Sequence, residues 1–102
     1  MQGAVLITGA TSGFGAASAR CLARQGWPLI LCGRRLERLQ ALVDELSELT
    51  AVLPLQLDVR DAIAVQRAID DLPEPFSGIQ VLVNNAGLAL APGPAQAVEL
   101  SD

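Results

Sequence analysis

Glycines stand at positions 9, 13 and 15 of the segment Thr8-Gly9-Ala10-Thr11-Ser12-Gly13-Phe14-Gly15, directly after an apolar run. Glycine serves where a chain bends sharply, where backbone approaches a phosphate, and where a helix packs closely on a strand. A helix starting here offers unpaired N–H groups and the positive end of its dipole to an anion. The second chemically capable group is Gly33-Arg34-Arg35. Guanidinium groups grip phosphate oxygens through charge-assisted, often bidentate hydrogen bonds, each contributing roughly 1.5–3 kcal/mol. Two more polar stretches close apolar runs: Asp58-Val59 and Asn84-Asn85-Ala86-Gly87. The absences matter as much. There is no His, no Tyr and no Lys, and all seven basic residues are Arg. A mechanism confined to this chain must therefore work with carboxylates, hydroxyls or two thiols. Without a Gly-Lys-Ser/Thr sequence, a P-loop nucleoside triphosphatase is excluded.

The elements that must position these groups alternate in type. Ala4–Thr8 is a short strand-like run, and an Ala-rich, helix-prone stretch over 14–25 closes at Gly26. Leu29-Ile30-Leu31-Cys32 is a second strand. Leu36, Leu39, Val43 and Leu46 step at helical spacing through a predicted helix over 36–49. Val52–Leu57 is a third strand, and its Pro54 fits an edge position better than a central one. Asp61 is a natural N-cap for a third helix carrying Ile63, Val65, Ile69 and Leu72, which Pro73-Glu74-Pro75 ends. Ile79–Val83 is a fourth strand, followed by loop through Pro92-Gly93-Pro94. The β-α-β-α-β-α-β order predicts a parallel sheet covered on both faces. Right-handed crossovers then fix the strand order as 3-2-1-4, the N-terminal half of a Rossmann-type doubly wound α/β fold. The outer edge of the fourth strand is expected to be open, and a charge at Val81 to protect it.

This layout brings all four polar stretches to the carboxyl edge of the sheet, where ligands bind in open α/β folds. A site selective for NAD carries Asp or Glu at the end of strand two for the ribose 2′-hydroxyl. Arg34 and Arg35 occupy that place here, which favours a 2′-phosphate and hence NADP. Two cations at a helix start oppose its dipole, so the pair is mildly unfavourable without a ligand. Asp58 and Val59 fall beside the place of an adenine ring, and Asn85, Ala86 and Gly87 across the crevice from the first turn. Taken alone, Asp58 reads equally as a solvated loop residue and Asn85-Ala86-Gly87 as a strand-ending turn.

The Thr8–Gly15 segment resembles the T-G-x-x-x-G-x-G turn of classical short-chain dehydrogenases/reductases, and Asn84-Asn85-Ala86-Gly87 resembles their N-N-A-G motif. Gly33-Arg34-Arg35, Leu57-Asp58-Val59 and Gly87-Leu88-Ala89-Leu90 are similar to the NADP-dependent 3-hydroxy acid (serine-type) branch. The resemblance implies that Gly9, Ala10, Thr11, Ser12, Gly13, Phe14 and Gly15 hold the pyrophosphate and nearby ribose. It implies that Arg34 and Arg35 hold the 2′-phosphate, Asp58 and Val59 the adenine, and Asn85, Ala86 and Gly87 the nicotinamide-side ribose. It further implies a small alcohol or 3-hydroxy acid substrate and a homo-oligomeric complete enzyme. The family's catalytic Ser and Tyr-x-x-x-Lys pair have no counterpart here. Residues 1–102 thus read as a partial dinucleotide-binding domain, ending where Ser101 would cap a fourth helix, with no catalytic residue of its own. A stand-alone, non-catalytic dinucleotide-binding or interaction module is the competing reading.

Composition agrees with one ordered domain. Hydrophobic residues make up 51% of 102 and charged residues 18%, which excludes intrinsic disorder. A net charge of −4 argues against nucleic-acid or anionic-membrane partners. Cys21 and Cys32 lack metal-site spacing and are expected to be plain buried thiols. No leader pattern or membrane-length apolar run is present, and the expected location is the cytoplasm.

Overall fold

The computed structural model of the chain describes residues 3–58, 60–84 and 97–99. The elements run β1 (Ala4–Thr8), α1 (Gly13–Arg24), β2 (Leu29–Gly33), α2 (Leu36–Leu46), β3 (Val52–Gln56), α3 (Ala62–Asp70), β4 (Ile79–Asn84) and β5 (Ala97–Glu99). The sheet order is β3-β2-β1-β4-β5. The first four strands are parallel, with Val5 opposite Leu29 and Val81, and Leu31 opposite Pro54. Pro54 therefore lies on an edge strand, as its missing N–H requires. The 3-2-1-4 order and the doubly wound topology hold. The open outer edge of β4 does not: β5 pairs antiparallel with it, setting Glu99, Val98 and Ala97 opposite Val81, Leu82 and Val83.

Crossover handedness explains the two layers. The β1-α1-β2 and β2-α2-β3 connections step in one direction, so α1 and α2 share a face; β3-α3-β4 returns across β1, so α3 covers the other. Period-two alternation sends Val5, Ile7, Leu29 and Leu31 into the α1/α2 layer, and Ala4, Leu6, Ile30 and Cys32 into the α3 layer. Helix α1 buries only Gly15, Ala19 and Ala23, a four-residue spacing of small groups that lets the helix lie close to the sheet. Its end is a Schellman turn: Gly26 at φ 85° donates to the Ala23 carbonyl at 2.9 Å, and Trp27 to that of Leu22 at 3.2 Å.

Three expectations need correction. Helix α2 stops at Leu46 rather than Leu49, because the Ser47 hydroxyl takes the Val43 carbonyl at 2.6 Å and Leu49 N–H turns tightly back to Leu46. Its buried stripe is Leu39, Leu42, Val43 and Leu46; Leu36, at the very start of the helix, is 50% exposed. Cys32 is buried but Cys21 is exposed, since it sits about half a turn from the Ala19–Ala23 stripe. On α3 no residue is fully buried, and Ile63 points largely to solvent. Among the described residues no helix is long and apolar enough to cross a membrane.

Candidate dinucleotide-binding site

The β1–α1 corner is built from its backbone. Gly9 takes a left-handed φ of 59°, a conformation that costs a side-chain-bearing residue about 1–2 kcal/mol. Ala10 N–H then bonds the Cys32 carbonyl at 3.0 Å, fastening the turn to β2. The Ser12 hydroxyl donates to the Gly9 carbonyl at 2.8 Å and accepts from Gly15 N–H at 3.1 Å, capping α1. The first turn of α1 holds no acidic residue, so nothing in it offsets the positive end of the dipole. A Cβ placed on Gly13 would meet nothing within 4 Å. Open space and uncancelled N–H polarity thus coincide at this helix start. Ala10 is fully buried, Thr11 partly so, and Phe14 is exposed.

At the end of β2, Gly33 lets the chain pass over Leu39, whose side chain would lie 3.3 Å from an added Cβ. Arg34 and Arg35 follow, both exposed. Arg35 sits at the N-cap of α2 without a side-chain cap bond. Neither guanidinium makes a hydrogen bond or ion pair among the described residues. The Arg34 backbone is held by Gln56 Nε2, which donates to its carbonyl at 3.3 Å. Beyond β3, Leu57 N–H bonds the Gly33 carbonyl at 3.0 Å, which brings Asp58 alongside the arginine pair. Arg60 donates to the Asp58 carboxylate from its backbone N–H (2.9 Å), its Nε (3.1 Å) and its Nη2 (2.9 Å). These side-chain bonds, then the backbone bond, and the charges of Arg60 and Arg34 hold the Asp58 carboxyl at about 2.

The end of β4 is fixed to the end of β1. Thr8 Oγ1 donates to Asn84 Oδ1 at 3.0 Å, and both residues are buried. The register sets Thr8 opposite Asn84 and Gly33 opposite Gln56, so the strand ends form one carboxyl edge. The turn from Gly9 to Gly15, the arginine pair and Asp58 share that edge. Val59, Asn85, Ala86 and Gly87 lie outside the described residues. Sequence reasoning placed Thr8 and Asn84 within motifs but gave neither a role of its own, and it passed over Arg60. The signal for the first two was a polar residue closing each of two adjacent apolar strands; for Arg60 it was a cation two residues after an acid in a turn.

Other features carry less chemistry. Burial pushes the Cys32 thiol up to about 12, leaving it protonated and inert. A shallow groove of about 500 Å³ on the outer face of α2 is lined by Leu36, Glu37, Gln40, Ala41 and Asp44; its charges are acidic and repel a phosphate. Among the described residues no group of three His, Cys, Asp or Glu side chains could hold a metal ion. The residues present at the carboxyl edge fit a ligand with several phosphate groups: an open helix N-terminus at one point and, at another, two guanidiniums without a hydrogen bond or ion pair among the described residues.

The strand order β3-β2-β1-β4, with helices on both faces, defines a doubly wound α/β fold. The family described as short chain dehydrogenase matches residues 3–102, and the chain belongs to it. The chain is 62% identical over 102 residues to sulfoacetaldehyde reductase 2 of Chromohalobacter salexigens, covering all of this chain and 40% of that protein. It is 51% identical over 98 residues to the NADP-dependent 3-hydroxy acid dehydrogenase YdfG of Salmonella typhi, covering 96% of this chain and 39% of that protein. The crystal structure of serine dehydrogenase from Escherichia coli superposes with a TM-score of 0.72 at 48% identity, over 84% of this chain and 39% of that one. The chain thus spans about 40% of the length of these two curated relatives.

Proposed function

We propose that the chain is the cofactor-binding N-terminal portion of an NADP-dependent short-chain oxidoreductase, with residues 1–102 forming a partial Rossmann domain. The observation that carries this reading is the pair Arg34 and Arg35 at the end of β2, whose guanidiniums make no hydrogen bond or ion pair among the described residues, on the same edge as the open N-terminus of α1. An acidic residue there would repel a 2′-phosphate; two cations attract it. Gly9 to Gly15 would hold the pyrophosphate and nearby ribose, Asp58 and Val59 the adenine, and Asn85 to Gly87 the second ribose. The bound nicotinamide would exchange hydride with an alcohol or aldehyde. This chain alone has no Tyr, Lys or His to move the accompanying proton and is proposed to be inactive by itself.

The substrate class is a small 3-hydroxy acid or related alcohol. The substrates in the relatives' names share one plan: a single carbon separates the alcohol or aldehyde carbon from an acidic centre. Two free thiols support placement in a reducing compartment, the cytoplasm.

Calorimetric titration tests the cofactor assignment. NADP should bind more tightly than NAD, and Arg34→Ala or Arg35→Ala should each weaken NADP by about tenfold or more while leaving NAD unchanged. A wild-type preference for NAD would remove the arginines from the 2′-phosphate. A second reading, a stand-alone non-catalytic module, is favoured by β5, which covers β4 at Val81–Val83. A monodisperse monomer with a cooperative melt would support it; self-association of a marginally folded chain would count against it.

A further inference from the structure

Asp58 puts a negative charge where the arginine pair is proposed to receive a dianion. Its carboxyl responds to the charge of Arg34 as well as to Arg60, so both guanidiniums lie within electrostatic reach of it. An unscreened carboxylate beside the 2′-phosphate would act as the acidic residue of an NAD-selective site acts, by repulsion. It would also draw Arg34 to itself. The Arg60 guanidinium meets the carboxylate side-on, through Nε at 3.1 Å to Oδ1 and Nη2 at 2.9 Å to Oδ2. The backbone N–H of Arg60 adds a bond of 2.9 Å to Oδ1 and fixes the carboxylate's orientation. With a longer contact of 3.3 Å from Nε to Oδ2, each carboxylate oxygen accepts two bonds from Arg60.

We propose that Arg60 is a specificity-determining positioning residue, which clamps the Asp58 carboxylate so that Arg34 stays available to a 2′-phosphate. The inference rests on the NADP reading above. Arg60 touches neither nucleotide in this role; it acts through Asp58. Removing it leaves Asp58 to pair with Arg34, which penalises NADP and spares NAD. A purely structural role would weaken both nucleotides alike.

The test is calorimetric titration of the full chain with NADP and with NAD, for wild type, Arg60→Gln, Arg60→Lys, Asp58→Asn and Arg60→Gln/Asp58→Asn. Arg60→Gln should weaken NADP by about two- to fivefold, the range of an exposed ion pair, and leave NAD unchanged. The loss should shrink as salt rises. Arg60→Lys should retain part of the preference, and the double variant should regain it, because the unpaired negative charge is gone. Without any nucleotide, NMR titration should find the Asp58 carboxyl of Arg60→Gln moved up from about 2 toward its ordinary range. An equal loss for NADP and NAD, or no recovery in the double variant, overturns the assignment of Arg60 while leaving the cofactor reading intact. Wild-type chain that binds neither nucleotide overturns both.

Discussion

Thr8 and Asn84 join two strands that are 76 residues apart in sequence and meet at the edge where the site is built. Both are buried, so the bond from Thr8 Oγ1 is shielded from water. Thr8→Val keeps the shape but leaves Asn84 Oδ1 without this donor. The expected loss is that of one net hydrogen bond, about 0.5–1.5 kcal/mol of stability, measurable as a lower urea midpoint. Asp58 makes a different kind of contribution. Its folded value of about 2 lies below the roughly 3.9 of an unfolded chain. The stabilisation is therefore complete above pH ~5 and is lost as pH falls from there through the folded value. The pair is exposed and the effect small, but its sign is fixed. Arg60→Gln should flatten the fall in urea midpoint between about pH 5 and 2 relative to wild type.

At the scale of the elements, the N-terminus of α1 does two jobs through one hydroxyl. Ser12 caps Gly15 N–H and ties back to the Gly9 carbonyl. Ser12→Ala should cost about 1 kcal/mol of stability in denaturant unfolding. It should also loosen the turn proposed to face the pyrophosphate, so NADP and NAD affinities should fall together, unlike the arginine variants. Much of this architecture was legible in the residues. Gly26 ends α1, Asp61 caps α3 through Ala64 N–H at 3.1 Å, and Pro54 selects the sheet edge, because each acts through local backbone chemistry. The end of α2 was missed because it depends on a Ser47 hydroxyl choosing a carbonyl over water. Leu42 was missed because four other leucines and valines already satisfied the helical spacing. Strand β5 was not legible at all. Ala97-Val98-Glu99 is too short to announce itself, and its pairing with Val81–Val83 is a long-range event. The polar stretches were found because a strand order of 3-2-1-4 leaves them only one edge to share. Arg60 was missed because its role exists only relative to Asp58.

The molecule as a whole is a sheet with unequal cover. The α1/α2 face contains fully buried Val5, Ile7, Leu29, Leu31, Leu39 and Leu46, whereas α3 contributes no buried residue to the opposite face. Ordering about 100 residues costs on the order of 100–200 kcal/mol, and complete domains retain only about 5–15 kcal/mol of net stability. Small losses therefore decide whether this chain melts cooperatively. Sequence alone suggests that Val81→Lys would blunt an open edge and improve solubility. The structure reverses that expectation. Val81 lies between Val5 on one side and Glu99 on the other, so its backbone edge is already covered. Its side chain packs against the α1/α2 core. A lysine there adds no edge protection and sets a charge beside apolar groups, at an expected cost of about 1–3 kcal/mol. For a chain of this size that lowers the melting temperature by roughly 4–8 °C per kcal/mol. Ile63→Lys is the contrasting variant: Ile63 is 67% exposed, and its replacement should leave stability within about 0.5 kcal/mol. Thermal melts followed by circular dichroism, with light scattering on the same samples, separate the two. A Val81→Lys chain that melts like wild type and stays more soluble would show the outer edge of β4 to be free, and the pairing with β5 would have to be given up.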